Sequence, residues 1–180
     1  MPQFPPLETF GPRMVICGPS NAGKSTLATA LSRRLGVPAI HLDQLHHVPG
    51  SDWTPRPREE FVALHDAAVA AEGWVMDGNY SALFPTRLAR ATGIILLRSD
   101  RFSSLARYLR RTLWERNRPG GLAGDRDSLK WKMIHWITIA APPRQAALRR
   151  DLRAVGHPYL ELRNMRELNQ LYAAWALTRG

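Results

Sequence analysis

Cysteine is almost missing from this 180-residue chain, where Cys17 stands alone. A single thiol excludes an internal disulfide and any cysteine-based zinc cluster. Cys17 closes the apolar run Met14-Val15-Ile16-Cys17 and reads as a small buried hydrophobe. Long apolar runs are missing too: a membrane span needs about 20 residues, and no run here comes close. The first residues are rich in proline and lack the apolar core of a signal peptide, so residues 1–12 are expected to form a loose leader. A reducing cytoplasm is the expected compartment. Acidic residues are the scarcer charge, 15 against 25 Lys and Arg, for a formal net charge of +10. Such a surface either attracts nucleic acid through its phosphates or lines a pocket for small polyanions with arginine. Internal repeats and low-complexity segments are absent.

What is present suits one globular domain. Apolar residues make up 44% of the chain, mean hydropathy is −0.29, and the length suffices to bury a core. The expected division is residues 1–12 as leader and 13–180 as a single domain.

Residues 18 to 25 read Gly-Pro-Ser-Asn-Ala-Gly-Lys-Ser, a complete G-x-x-x-x-G-K-[ST] loop. The apolar run 14–17 before it reads as a buried strand, and Leu27, Leu31 and Leu35 after it repeat at helical spacing. Strand, glycine loop and helix together make a nucleotide phosphate site. Gly18 and Gly23 let the backbone approach phosphate oxygens without a Cβ in the way. Consecutive N–H groups at a helix start favour an anion. Lys24 adds a charge that reaches the β- and γ-phosphates, and Ser25 offers its hydroxyl to Mg²⁺. Gly18, Pro19, Ser20, Asn21, Ala22, Gly23, Lys24, Ser25 and Thr26 are the expected ATP contacts, with Lys24 also catalytic.

Further strands are expected at Ala39–Leu42, ending at Asp43, and at Trp74–Met76, Gly93–Leu97 and Tyr159–Leu162. Helices are expected over 58–72, 82–90 and 101–116, with more from 129, after Pro142-Pro143, and around Leu168, Leu171 and Trp175. Strands alternating with helices predict an α/β fold with a parallel sheet covered on both faces. Ligands then collect at the carboxyl ends of the strands, where Gly18, Asp43, Asp77 and Arg98 fall.

The P-loop, His41-Leu42-Asp43, Trp74-Val75-Met76-Asp77-Gly78-Asn79-Tyr80, and then an arginine-rich helix with a glycine loop resemble the P-loop small-molecule kinases, best known from adenylate and shikimate kinases. The phrase around Asp77 looks closest to bacterial adenylate kinase-like or DNA topology modulation (FlaR-related) proteins. The resemblance covers almost the whole chain after residue 13. It implies a P-loop NTPase, nucleoside/nucleotide kinase-like three-layer fold with a five-stranded parallel sheet in the order 2-3-1-4-5. It also implies an acceptor-binding excursion at 44–73 and a lid at 116–127. Asp77 resembles the aspartate that holds Mg²⁺ through water, alongside Ser25. Asn79-Tyr80 stands where adenylate kinases carry Phe-Pro-Arg, so the arginine that grips a nucleotide phosphate is absent there; Arg87 or Arg90 lies a helix further on. Asn79 and Arg87 are expected to bind the acceptor.

Asp43 is expected to orient an acceptor hydroxyl and take its proton; the bland alternative is a turn or helix cap. Trp53 either stacks on the acceptor or anchors its loop. His46 and His47 lack any further ligand spacing and read as polar loop residues. Arg107, Arg111 and Arg118 follow at four- and seven-residue steps and share one helical face if the helix of 101–116 extends to 118, and Arg116 and Arg126 flank Gly120, Gly121 and Gly124. Arg107 is assigned to ATP, and Arg111 and Arg118 to the transferring phosphoryl group; a solvated basic face is the alternative. Arg163 is placed along the adenine by resemblance, and Asn164 equally suits an N-cap.

The expected activity is transfer of the γ-phosphoryl group of ATP, with Mg²⁺, to a small molecule such as a nucleoside or nucleotide. The alternative is a P-loop ATPase or nucleic-acid-associated regulator. A switch GTPase is excluded: no Asn-Lys-x-Asp occurs and no Asp-x-x-Gly follows the loop. Monomer and homodimer both stay open.

Overall fold

The computed structural model describes residues 4–51, 53–98 and 141–179. The expected helix over 101–116, the lid at 116–127 and the helix from 129 lie outside the described residues. Five strands form one sheet: β1 (Arg13–Cys17), β2 (Ala39–His41), β3 (Trp74–Asp77), β4 (Gly93–Leu97) and β5 (Tyr159–Leu162). Their order is β2-β3-β1-β4-β5, and every pair is parallel. The helices are α1 (Lys24–Leu35), α2 (Leu42–His46), α3 (Arg58–Val69), α4 (Phe84–Arg90), α5 (Ala141–Ala154) and α6 (Met165–Ala174).

Alternation along β1 sorts the core into two halves. Met14 and Ile16 pack with Leu27 and Leu31 of α1 and with Leu168 and Leu171 of α6. Val15 and Cys17 face the other way, towards Val69 of α3, Phe84 of α4 and Leu152 of α5. Central strands covered on both sides need continuous apolar sequence, which explains why β3 and β4 are buried at every position. With the glycine loop at the carboxyl end of β1, this is an α/β P-loop NTPase fold of the kinase-like type. Among the described residues, no helix is long and apolar enough to cross a membrane.

Three local expectations change. Residues 4–12 are packed rather than loose: Leu7 and Phe10 are buried, the Phe10 and Trp175 rings lie 5.4 Å apart, and the Trp175 indole donates to the Pro5 carbonyl at 2.9 Å. The second strand stops at His41, and Leu42 already begins α2. Asp43 therefore sits in a helical first turn and not at a strand end. Among the described residues β2 borders only β3, and its ladder runs out at the His41–Asp77 pair. Finally, Pro142-Pro143 lie within α5, which is described from Ala141 onwards, rather than before it.

One charge cluster ties α5 to the sheet edge. Glu161 of β5 accepts from Arg149 Nε at 2.9 Å and Arg153 Nη2 at 2.8 Å, and Arg98 Nη1 lies 3.3 Å away. Burial alone would raise the Glu161 carboxyl, but the Arg149 hydrogen bond and the charges of all three arginines outweigh it and hold it below its ordinary 4.5. Its contribution is complete above that value and is lost as pH falls through the lower folded pKa. Glu161→Gln should lower stability by about 1–3 kcal/mol at pH 7, discounted for the half-exposed arginines. Denaturant melts at pH 7 and pH 3 check this: the gap between variant and wild type should close in acid.

Candidate active site

The loop between β1 and α1 is shaped by close approach. A Cβ on Gly18 would sit 2.4 Å from the Leu97 carbonyl oxygen, and φ at that residue is +145°. Gly23 is the N-cap of α1 in the left-handed region, with φ of 90°. Side chains larger than hydrogen are excluded at the first and strained at the second. Lys24 and Ser25 thus open α1, in the first turn where backbone N–H groups lack partners. The Lys24 ammonium donates to the Pro19 carbonyl at 2.8 Å, folded over its own loop.

Asp77 is the centre of the site. It ends β3, next to β1 on one side and β2 on the other, and is 5% exposed. Ser25 Oγ donates to Asp77 Oδ2 at 2.5 Å, and His41 Nδ1 lies 2.8 Å from Oδ1. Both carboxylate oxygens are therefore held. The structure places Ser25 against Asp77 and adds His41, which sequence reasoning did not single out. Its signal was present: His41 ends one strand as Asp77 ends the neighbouring one.

Asn79 and Arg87, read as acceptor-binding, are corrected. The Asn79 amide is spent on the loop: Oδ1 accepts from the Gly18 N–H and Nδ2 donates to the Gly18 carbonyl, both at 3.0 Å. Arg87 is 0% exposed. Its Nη2 donates to the Asn79 carbonyl at 3.3 Å, and its guanidinium lies 4.9 Å from the centre of the Phe84 ring. Asn79 thus braces the phosphate loop at Gly18, and Arg87 braces Asn79. Neighbouring Cys17 is driven up to about 11 by burial, against the opposing charges of Arg87 and Lys24, so its thiol stays neutral.

Asp43 is exposed and lies in the first turn of α2, whose N-cap is His41. Its Oδ1 accepts from the Tyr80 hydroxyl at 2.7 Å. Burial and the Asp43 charge both push the Tyr80 phenol upward, which keeps it a donor. Tyr80 closes a ring cluster with His46 and Phe61, at centroid separations of 4.9 to 5.1 Å. Trp53 joins at its edge, 5.0 Å from His47, so it packs within its own loop. Burial, then the charge of His47, lowers the His46 pKa and leaves a neutral imidazole. Among the described residues no group of three or more His, Cys, Asp or Glu side chains could hold a metal ion.

Arg163 lies exposed after β5. Its backbone N–H donates to Glu167 Oε2 at 2.7 Å, while Asn164 Oδ1 accepts from the Glu167 N–H at 3.0 Å. Asn164 is thus the N-cap of α6, and Glu167 reaches back one residue further than in a capping box, to the N–H before the cap. Leu168 of the same helix would touch a Cβ at Gly23 at 3.4 Å. Arg107, Arg111, Arg116, Arg118 and Arg126 lie outside the described residues.

His65 lies one helical turn beyond Phe61 on α3. It is fully buried with no partner for Nε2. Burial, reinforced by the charge of Arg87, lowers its pKa below the ordinary 6.5, although the Asp66 hydrogen bond opposes this. The folded chain then binds fewer protons there than the unfolded chain. Stability is whole above pH 6.5 and is lost as pH falls towards the folded value. His65→Leu should flatten the stability profile between about pH 7 and pH 5, a change that thermal melts across that range would record.

A family model described as an AAA domain matches residues 14–121. No curated protein matches the chain. Among solved structures, the chain is similar to a gluconokinase from Sinorhizobium meliloti 1021 at 20% identity, over 83% of this chain and 100% of that one, with a TM-score of 0.44.

Proposed function

The chain belongs to the AAA domain family, and from that premise we propose that it is an ATP-dependent phosphotransferase acting on a small-molecule acceptor. The observation that carries the reading is the convergence at the sheet's carboxyl edge. A phosphate loop, the Ser25–Asp77 contact at 2.5 Å and the exposed Asp43 carboxylate belong to neighbouring elements there.

The donor set fits Mg²⁺, which takes hard oxygen ligands and keeps most of its positions for water and phosphate. Ser25 would hold it directly and Asp77 through water. When bound, it neutralises charge on the β- and γ-phosphates. The chain's own groups do the rest. The backbone N–H groups of Ser20 to Thr26 wrap the phosphates, Gly18 and Pro19 shape the loop around them, and Lys24 leaves the Pro19 carbonyl to pair with the β- and γ-oxygens. An acceptor hydroxyl takes the place of the Tyr80 hydroxyl on Asp43. Its oxygen bonds to the γ-phosphorus as the bond to the bridging oxygen breaks, Asp43 receives the proton, and ADP leaves with the electron pair. Trp53 and the excursion 44–73 border the acceptor. On sequence grounds, Arg107 contacts ATP, Arg111 and Arg118 neutralise the transferring group from the segment around 116–127, and Arg163 lies along the adenine.

A screen of metabolites with ATP labelled at the γ-phosphate tests this. Label should move to one chemical class, and ADP should form only in its presence. ADP release that ignores every acceptor, or that responds to DNA instead, would favour a P-loop ATPase and sink the kinase reading.

A further inference from the structure

We propose that His41 is a positioning residue that locks the Asp77 carboxylate for the metal-bound nucleotide, an inference that rests on the nucleotide-binding reading above. A terminal carboxylate rotates easily about its last torsion, whose energy wells are broad. Asp77 is prevented from doing so at both ends. Ser25 Oγ occupies Oδ2 at 2.5 Å and His41 Nδ1 occupies Oδ1 at 2.8 Å. The His41 and Asp77 side chains are only 10% and 6% exposed, so water competes little for either oxygen.

The two contacts are not equivalent. Ser25 belongs to the phosphate loop and would present its oxygen lone pair to the Mg²⁺ that arrives with the nucleotide while its proton keeps an acceptor. That acceptor is Oδ2, and it stays in place only if Oδ1 is anchored elsewhere. His41 is the anchor because the parallel ladder puts its Cα opposite that of Asp77. The bond requires the Nδ1–H tautomer of the imidazole. Groups that orient a metal's ligands without touching the metal typically change its affinity by about 10–100-fold.

Calorimetry of ADP binding to the full chain, with and without Mg²⁺, tests this without requiring turnover. The quantity of interest is the ratio of the two affinities. His41→Asn places an amide N–H where Nδ1 stands and should keep the wild-type ratio within about threefold. His41→Gln places its amide where Nε2 stands, and His41→Phe offers no donor. Both should cut the ratio by about tenfold and leave Mg²⁺-free ADP affinity and the melting temperature near wild type. A wild-type ratio in His41→Phe, alongside its loss in Asp77→Asn, would overturn the proposal and reduce His41 to a strand-edge residue. Equal loss of Mg²⁺-free binding or of stability in the Asn and Gln variants would overturn it as well. Failure of the unmutated chain to bind ADP would be a different result: it would remove the nucleotide reading, and this inference with it.

Discussion

Lys24→Ala is expected to weaken ATP binding by about 10–100-fold, the equivalent of about 1.5–3 kcal/mol for a lost charge-assisted contact. The fold should survive. Lys24 is the first residue of α1, and among the described residues its ammonium donates to the Pro19 carbonyl. Removing it takes away a phosphate contact and no apolar packing, and alanine favours the helix. Titration calorimetry paired with a thermal melt separates the two effects. An unchanged ATP affinity would mean that the loop holds no triphosphate. A large drop in melting temperature would mean that the lysine serves the apo structure.

Asp43→Asn should lower turnover by about 10²–10⁴-fold once the acceptor is identified, with ATP affinity unchanged. The carboxamide keeps the shape and can still meet the Tyr80 hydroxyl, but it accepts a proton poorly. The capping alternative carries its own forecast, a loss of stability, since Asp43 lies in the first turn of α2 although His41 is the N-cap. Full turnover in the variant would move the base elsewhere. Asp77→Asn is the control with the opposite signature: there the Mg²⁺ dependence of binding should fall together with turnover.

The phosphate loop, its flanking strand and helix and the buried β4 were legible because each is written in a short window. Glycine is needed where the backbone must approach Leu97 or turn left-handed at Gly23, and a strand covered on both faces must be apolar throughout. Asp43 was only half legible. Its side chain does face the candidate site, but Leu42 had looked like continued strand, since nothing local to Ala39–Leu42 says how many neighbours that strand has. Asn79 and Arg87 misled for a related reason. Polar residues after a strand end look like ligand contacts, whereas Asn79 meets Gly18, 61 residues away in sequence. Arg87 is carried underneath by the buried face of α4.

Composition and the loop by themselves determined that this is a P-loop α/β protein with a phosphate site opening on Lys24 and Ser25. The backbone torsions and the helix start that make such a site involve only neighbours in the chain. The tertiary structure alone decided which side chains complete it. Ser25 reaches Asp77 across 52 residues, and His41 reaches it across 36. Those meetings depend on β3 lying between β2 and β1 in a parallel register. Strand order is set by the packing of two helical layers on the sheet, a property of the whole core that no short stretch of sequence encodes.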